Sequence, residues 1–156
     1  MGLLFAMKAI VQRVSEASVT INKEIHASIN KGFLVLLGVH KEDTQEEVSW
    51  IARKIAGMRI FPDKAGKMNT TLADIDGDIL AISQFTLIAS TRKGNRPSFN
   101  DAAEAQHGDQ LYQETVAELG KLIGKPVKTG IFGADMKVAL INDGPVTITL
   151  DTRHKD

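Results

Sequence analysis

The sequence predicts a single α/β domain, with mixed, mostly antiparallel sheets in an α/β/β layered arrangement and two main helices. Three observations carry this expectation. Several stretches rich in Val, Ile and Thr are broken by short polar turns. Two longer segments repeat apolar residues at helical spacing. Phe33–Val39 and the first half of Asp78–Ser90 are unbroken apolar runs, as a strand covered on both faces requires. At 156 residues the chain can bury roughly two-thirds of the surface that its unfolded form exposes.

Taken in order, Lys8–Arg13, Ser18–Asn22 and His26–Asn30 read as strands, with Lys23-Glu24 as the turn between the second and third. Gly32 introduces the central strand Phe33–Val39. Thr44-Gln45-Glu46-Glu47 has the form of a capping box, and Val48, Ile51, Ala52, Ile55 and Met58 form the apolar stripe of a first helix. Arg59-Ile60-Phe61 reads as a short strand stopped at Pro62, and Asp63–Met68 as a loop. Asp78–Ser90 is the next strand, and Thr91–Ser98 an exposed loop rich in turn formers. Ser98 or Asp101 is expected to cap a second helix, striped by Leu111, Thr115, Val116, Leu119, Leu122 and Ile123 and ended by Gly124 and Pro126. Val127–Thr129, Lys137–Asn142 and Val146–Leu150 complete the strands, the last two joined by Asp143-Gly144-Pro145. Residues 1–6 are apolar without the cationic start of a signal peptide, and read as an extension or tag remnant before a domain of residues 7–152. Thr152 onward is expected to fray, leaving 153–156 as a tail.

Composition narrows the function. No cysteine is present, which excludes disulfides, thiolate zinc sites and cysteine nucleophiles, and makes a reducing, cytoplasmic location the natural expectation. Lys plus Arg equals Asp plus Glu at 19 each, so any nucleic-acid contact must be local. No run approaches membrane-spanning length.

Familiar catalytic patterns fail when read letter by letter. Gly66-Lys67 lacks a phosphate loop's first glycine, which is Phe61 here, and its magnesium-binding Ser/Thr, which is Met68. Ser83 lacks the glycines of a nucleophile elbow, having Ala81 and Phe85 two residues away. Ser90-Thr91-Arg92-Lys93 matches a Ser-x-x-Lys pattern too short to carry weight. His26, His40, His107 and His154 are scattered without metal-ligand spacing, so no metal site is expected. A triad of Ser83, His107 and Asp101 could be assembled only by assuming tertiary contacts.

Ser83-Gln84-Phe85-Thr86 is more informative. Two hydroxyls and an amide inside a hydrophobic strand need partners or a task. They can bind an ester or a ribose by directed hydrogen bonds, or they can be a satisfied polar cluster joining two sheets; both readings stand. For all four to serve one site, the strand needs a bulge or an end here. Gly144-Pro145 is the second oddity, because proline cannot donate to a ladder yet precedes a good strand. Either a trans hairpin turn or a cis bond with two fixed carbonyl acceptors fits it.

Lys8–Val14, Gly38, Ser83-Gln84-Phe85-Thr86-Leu87, Lys93–Phe99 and Asn142–Thr147, in this order and spacing, together resemble the D-aminoacyl-tRNA deacylase family over Met7 to about Thr152. The resemblance implies a homodimeric, cofactor-free hydrolase of the ester between a D-amino acid and tRNA, with mischarged glycyl-tRNA as a further substrate. It implies that Gly144-Pro145 is a cis dipeptide reaching into the partner's pocket and rejecting L-amino acids. Ser83, Gln84, Phe85 and Thr86 would form the catalytic floor, and Arg92, Lys93 and Arg96 would meet tRNA phosphates. Two other readings remain: a non-catalytic RNA-binding domain using Phe85 or Phe99 for stacking, and a small-ester hydrolase built on Ser83 or Thr86.

Overall fold

The computed structural model describes residues 7–154; the expected 1–6 extension and the last two tail residues lie outside them. In chain order the elements are β1 (Lys8–Ile21), β2 (Glu24–Ile29), β3 (Gly32–Gly38), α1 (Gln45–Gly57), β4 (Phe61–Pro62) and β5 (Met68–Thr70). β6 (Asp78–Ser83), α2 (Ala105–Ile123), β7 (Lys128–Thr129) and β8 (Lys137–Asp151) follow. The main sheet runs β2-β1-β3-β6-β7, with β8 on the other side of β1; β4 and β5 form a separate ribbon. β3–β6 and β6–β7 are parallel, and the remaining pairs antiparallel.

The two expected strands Lys8–Arg13 and Ser18–Asn22 are one. Their register against β8 shifts between Gln12 and Val14 and again between Val14 and Glu16, irregularities that bend a strand without ending it. β1 can therefore serve two layers: Lys8–Val14 pairs β3, and Ala17–Ile21 pairs β2. The hairpin turn is Asn22-Lys23, one residue earlier than expected. Both have positive φ, 51° and 68°, as a two-residue type I′ connection requires.

Strand alternation divides the core. Phe33, Val35, Leu37, Ile79 and Ala81 face the helices and pack with Val48, Ile51, Ile55, Leu111 and Leu119. Leu34, Leu80 and Ile82 face the other way, where Val14, Ala17, Val19 and Ile29 cover them with help from Val138 and Leu140. Helices, central sheet and the turned-over half of β1, β2 and β8 thus make the α/β/β layers. Burial on both sides is why β3 and β6 read as continuous apolar runs.

The helix ends follow local chemistry. Thr44 and Glu47 form the expected capping box on α1. α2 starts later than expected, with Glu104 at its N-cap and no side-chain cap. The reason is tertiary: Lys41 N–H donates to Asp101 O at 2.8 Å and Ala103 N–H to Val39 O at 2.9 Å, which holds 101–103 against the exit of β3. Gly124, at φ 79°, closes the helix as its sequence predicts.

Three further expectations are corrected. β6 ends at Ser83 rather than running to Ser90: Gln84 N–H makes the last bond to β3, at Leu37 O, and Phe85–Leu87 then winds into a 3₁₀ turn closed by Leu87 N–H to Gln84 O at 3.1 Å. Asp143-Gly144-Pro145 is not a hairpin turn, since β8 continues through it. Asn142 pairs Val14 and Thr147 pairs Gln12, so β1 pins both flanks and the surplus residues bulge. Thr152 is not frayed but buried, with its N–H donating to Met7 O at 3.0 Å. No helix among the described residues is long and apolar enough to cross a membrane.

Candidate active site and an adjoining basic cleft

The parallel pair β3 and β6 ends where ligand sites collect in open α/β sheets, at the carboxyl ends of the strands. Ser83 is the last residue of β6, opposite Leu37 of β3. The change from strand to 3₁₀ turn abolishes side-chain alternation, so Ser83, Gln84 and Phe85 together line one pocket of about 300 Å³. Its other wall is Phe132–Met136 and Val138, the approach to β8. The sequence reading missed this wall, whose one local signal is Gly133 in a turn at φ 79°.

Thr86 is exposed and does not line the pocket. Its Oγ1 accepts a short hydrogen bond from Gln84 Nε2, which fixes the amide's orientation. The Gln84 backbone N–H is committed to Leu37 O at 2.8 Å. The N–H groups of Phe85 and Thr86, first in the 3₁₀ turn, have no acceptor among the described residues. Gly38 makes this junction possible: a Cβ there would lie 2.9 Å from Leu87 Cβ and 3.0 Å from Gln84 O.

Ser83, His107 and Asp101 do not form a triad. His107 Nε2 lies 2.9 Å from Asp43 O, and Asp101 pairs with Lys41 at 3.2 Å. No group of three or more His, Asp or Glu side chains able to hold a metal converges among the described residues.

Gly144-Pro145 lies on the bulge of β8, exposed, and its peptide bond is cis. Arg13 Nε donates to Asp143 O at 2.8 Å, and Arg13 Nη1 to Ile60 O at 2.6 Å. Val146 N–H donates to Asn142 Oδ1 at 2.7 Å. Gly144 has φ 147°, and a Cβ there would lie 2.8 Å from Val146 Cγ2. Within one chain this bulge does not border the Ser83 pocket.

Arg92, Lys93 and Arg96 line a second, larger cleft of about 500 Å³, together with Ser90, Ser98, Asp101, His40, Lys8 and Arg153. The sequence could not join Lys8 to Arg153, which stand near opposite ends of the chain. Pairing of Lys8 with Asp151 brings them to one rim. His40 is 8% exposed, and its Nδ1 accepts from Glu42 N–H at 3.2 Å. Burial lowers its pKa from the ordinary value, partly opposed by Asp101. Phe85 and Phe99 stack edge-on at 5.2 Å between centroids.

A family model described as D-Tyr-tRNA(Tyr) deacylase matches residues 10–151. The D-aminoacyl-tRNA deacylase of Flavobacterium psychrophilum is 53% identical over 96% of this chain and 100% of its own length. That of Bacteroides thetaiotaomicron is 51% identical over the same shares. Among solved structures, the c-Myc DNA Unwinding Element Binding Protein superposes with a TM-score of 0.87 at 43% identity, over 92% of this chain and 97% of that one. A structure described as a probable eukaryotic D-amino acid tRNA deacylase gives 0.82 at 16% identity, over 94% and 99%, a likeness of fold. With Ser83-Gln84-Phe85-Thr86 placed at the carboxyl end of a parallel strand pair and a family match over residues 10–151, the chain belongs to the D-Tyr-tRNA(Tyr) deacylase family of ester hydrolases.

Proposed function

We propose that the protein hydrolyses the ester joining a D-amino acid to the terminal adenosine of tRNA, and accepts mischarged glycyl-tRNA as well. The observation that carries this reading is the pocket formed by Ser83, Gln84 and Phe85 where β6 gives way to the 3₁₀ turn, in a chain of this family. An aminoacyl ester is already activated, so a placed water and donors to the developing oxyanion suffice. Each such donor supplies about 2.7–4 kcal/mol in measured hydrolases. The unpartnered N–H groups of Phe85 and Thr86 are the backbone donors to hand, and the Gln84 amide, held by Thr86, places the water. Thr86 is not the nucleophile: its Oγ1 accepts from Gln84 Nε2, and no base is bonded to it. Attack is by water, assisted by the substrate's 2′-hydroxyl.

Gly144 and Pro145 are assigned the rejection of L-aminoacyl groups by collision at the α-carbon, which a glycyl group escapes. Because the bulge does not line its own chain's pocket, this role requires a second copy, and a homodimer is the working assembly. Arg92, Lys93 and Arg96 hold tRNA phosphates. The chemistry requires no cofactor, and its substrate places the protein in the cytoplasm.

A release assay with D- and L-aminoacyl-tRNA, and free D-amino-acid esters as control, tests the reading. Release from the D-aminoacyl-tRNA alone is expected, and a Thr86→Ala variant, which keeps the backbone N–H donor and loses only the partner that orients the Gln84 amide, retains most of it. Turnover of free esters but not of tRNA would restore the small-ester hydrolase, and tRNA binding without release the RNA-binding domain. A trapped acyl-enzyme lost in Thr86→Ala would reassign the nucleophile.

A further inference from the structure

Two separate parts of the chain make the walls of the basic cleft. One is the loop carrying Arg92, Lys93 and Arg96, closed at its base by reciprocal bonds, Ser90 N–H to Ser98 O at 2.9 Å and Ser98 N–H to Ser90 O at 2.8 Å. The other is the rim where Lys8 opens β1 and Arg153 follows β8. None of these five cations forms an ion pair among the described residues, whereas the cleft's one carboxylate, Asp101, is engaged by Lys41. The cleft is therefore strongly positive in a molecule of zero formal net charge. That contrast marks a local polyanion site.

The cleft and the ester pocket are consecutive along the chain. Gln84 lines the pocket, Ile88 lines the cleft, and one 3₁₀ turn separates them. At about 2.0 Å rise per residue in such a turn, Gln84 and Ile88 lie on the order of one nucleotide step apart. A concavity of about 500 Å³ fits a single phosphate backbone rather than the whole convex face of an A-form duplex. An unpaired strand presents such a backbone.

We propose that this cleft is the backbone subsite for the unpaired strand leading to the terminal adenosine, with Lys8 and Arg153 neutralising phosphates from the wall opposite the Arg92, Lys93 and Arg96 loop. The assignment rests on the deacylase reading above and extends it to a strand path: phosphates in the basic cleft, sugar and ester across the 3₁₀ turn. Phosphate contacts of this kind set affinity and register without reading sequence. Lys8 and Arg153 are thus binding residues for the proposed substrate class, a role that the sequence alone gives to neither.

The test is the salt dependence of kcat/KM. For the parent protein, log kcat/KM on D-aminoacyl-tRNA falls steeply with log salt, while on D-aminoacyl-adenosine, which has no phosphate, it stays nearly flat. In the double variant Lys8→Gln/Arg153→Gln the tRNA slope becomes shallower by about 1.4, two single-strand phosphate contacts at about 0.7 each. The charge-preserving pair Lys8→Arg/Arg153→Lys keeps the parent slope, and equal melting temperatures verify the fold. Equal slopes for parent and double variant would overturn the subsite, as would loss of binding to polyglutamate without a change in slope, which would mean an acidic protein partner. Failure of the parent to cleave either substrate would instead sink the deacylase reading on which this one rests.

Discussion

At the scale of single residues, His40 is the case in which environment overrides residue type. Its ring is buried at the end of β3, its Nδ1 accepts from Glu42 N–H, and burial holds the pKa below 6.5 against the pull of Asp101. In the window below 6.5 the unfolded chain therefore binds a proton that the folded chain does not, so stability rises with pH there. Urea midpoints measured across that window should climb with pH, and His40→Gln should flatten the climb; a variant with the parent's profile would remove His40 as its source. Nothing in the sequence distinguished His40 from the other three histidines. Its neighbours Asp101 and Arg153 come from segments far along the chain. Thr44 is the opposite case, because a capping box is complete within four residues and so is legible in the sequence.

Elements divide along the same line. The apolar cores of β3 and β6 and the stripes of both helices, apart from Leu122, which is 42% exposed, follow from periodicity, because burial acts on the residues of the element itself. The end of β6 does not. It depends on the approach of Gln84 to β3, which only the absence of a side chain at Gly38 allows. A Gly38→Ala substitution places a methyl group against Gln84 O and Leu87 Cβ. It should cost about 1–3 kcal/mol of stability through overpacking. It should also lower kcat on D-aminoacyl-tRNA, since the turn carrying the Phe85 and Thr86 N–H groups is displaced. Thermal melts and single-turnover rates check both, and unchanged rates would separate the junction from catalysis. β8 was likewise misread as two strands because Gly144-Pro145 looks like a turn, and only pairing with β1 on both sides reveals a bulge.

The layered order of the whole molecule was legible from the count and pattern of strands and helices. The double duty of β1, bent between two layers, was not, because its irregular register is imposed by β8. The separation of the Gly144-Pro145 bulge from its own chain's pocket gives a prediction at this scale. Pro145→Ala alone should cleave D- and L-aminoacyl-tRNA alike. Refolded with an excess of Gln84→Ala, most Pro145→Ala pockets would face an intact Pro145 from the inactive copy, and selectivity for D should return. Selectivity that stays lost in the mixture would mean that the bulge acts within its own chain. The seam between Met7 and Thr152, where β1 begins and β8 ends, has an engineering consequence. A short glycine-serine bridge from Arg153 back to Met7, with the backbone opened instead in the exposed stretch 64–67, would yield a circular permutant that keeps Arg153 and every strand beside its present neighbour. Such a chain would carry its loose ends outside the lining of the basic cleft, a better frame for attaching a fluorophore or a surface tether.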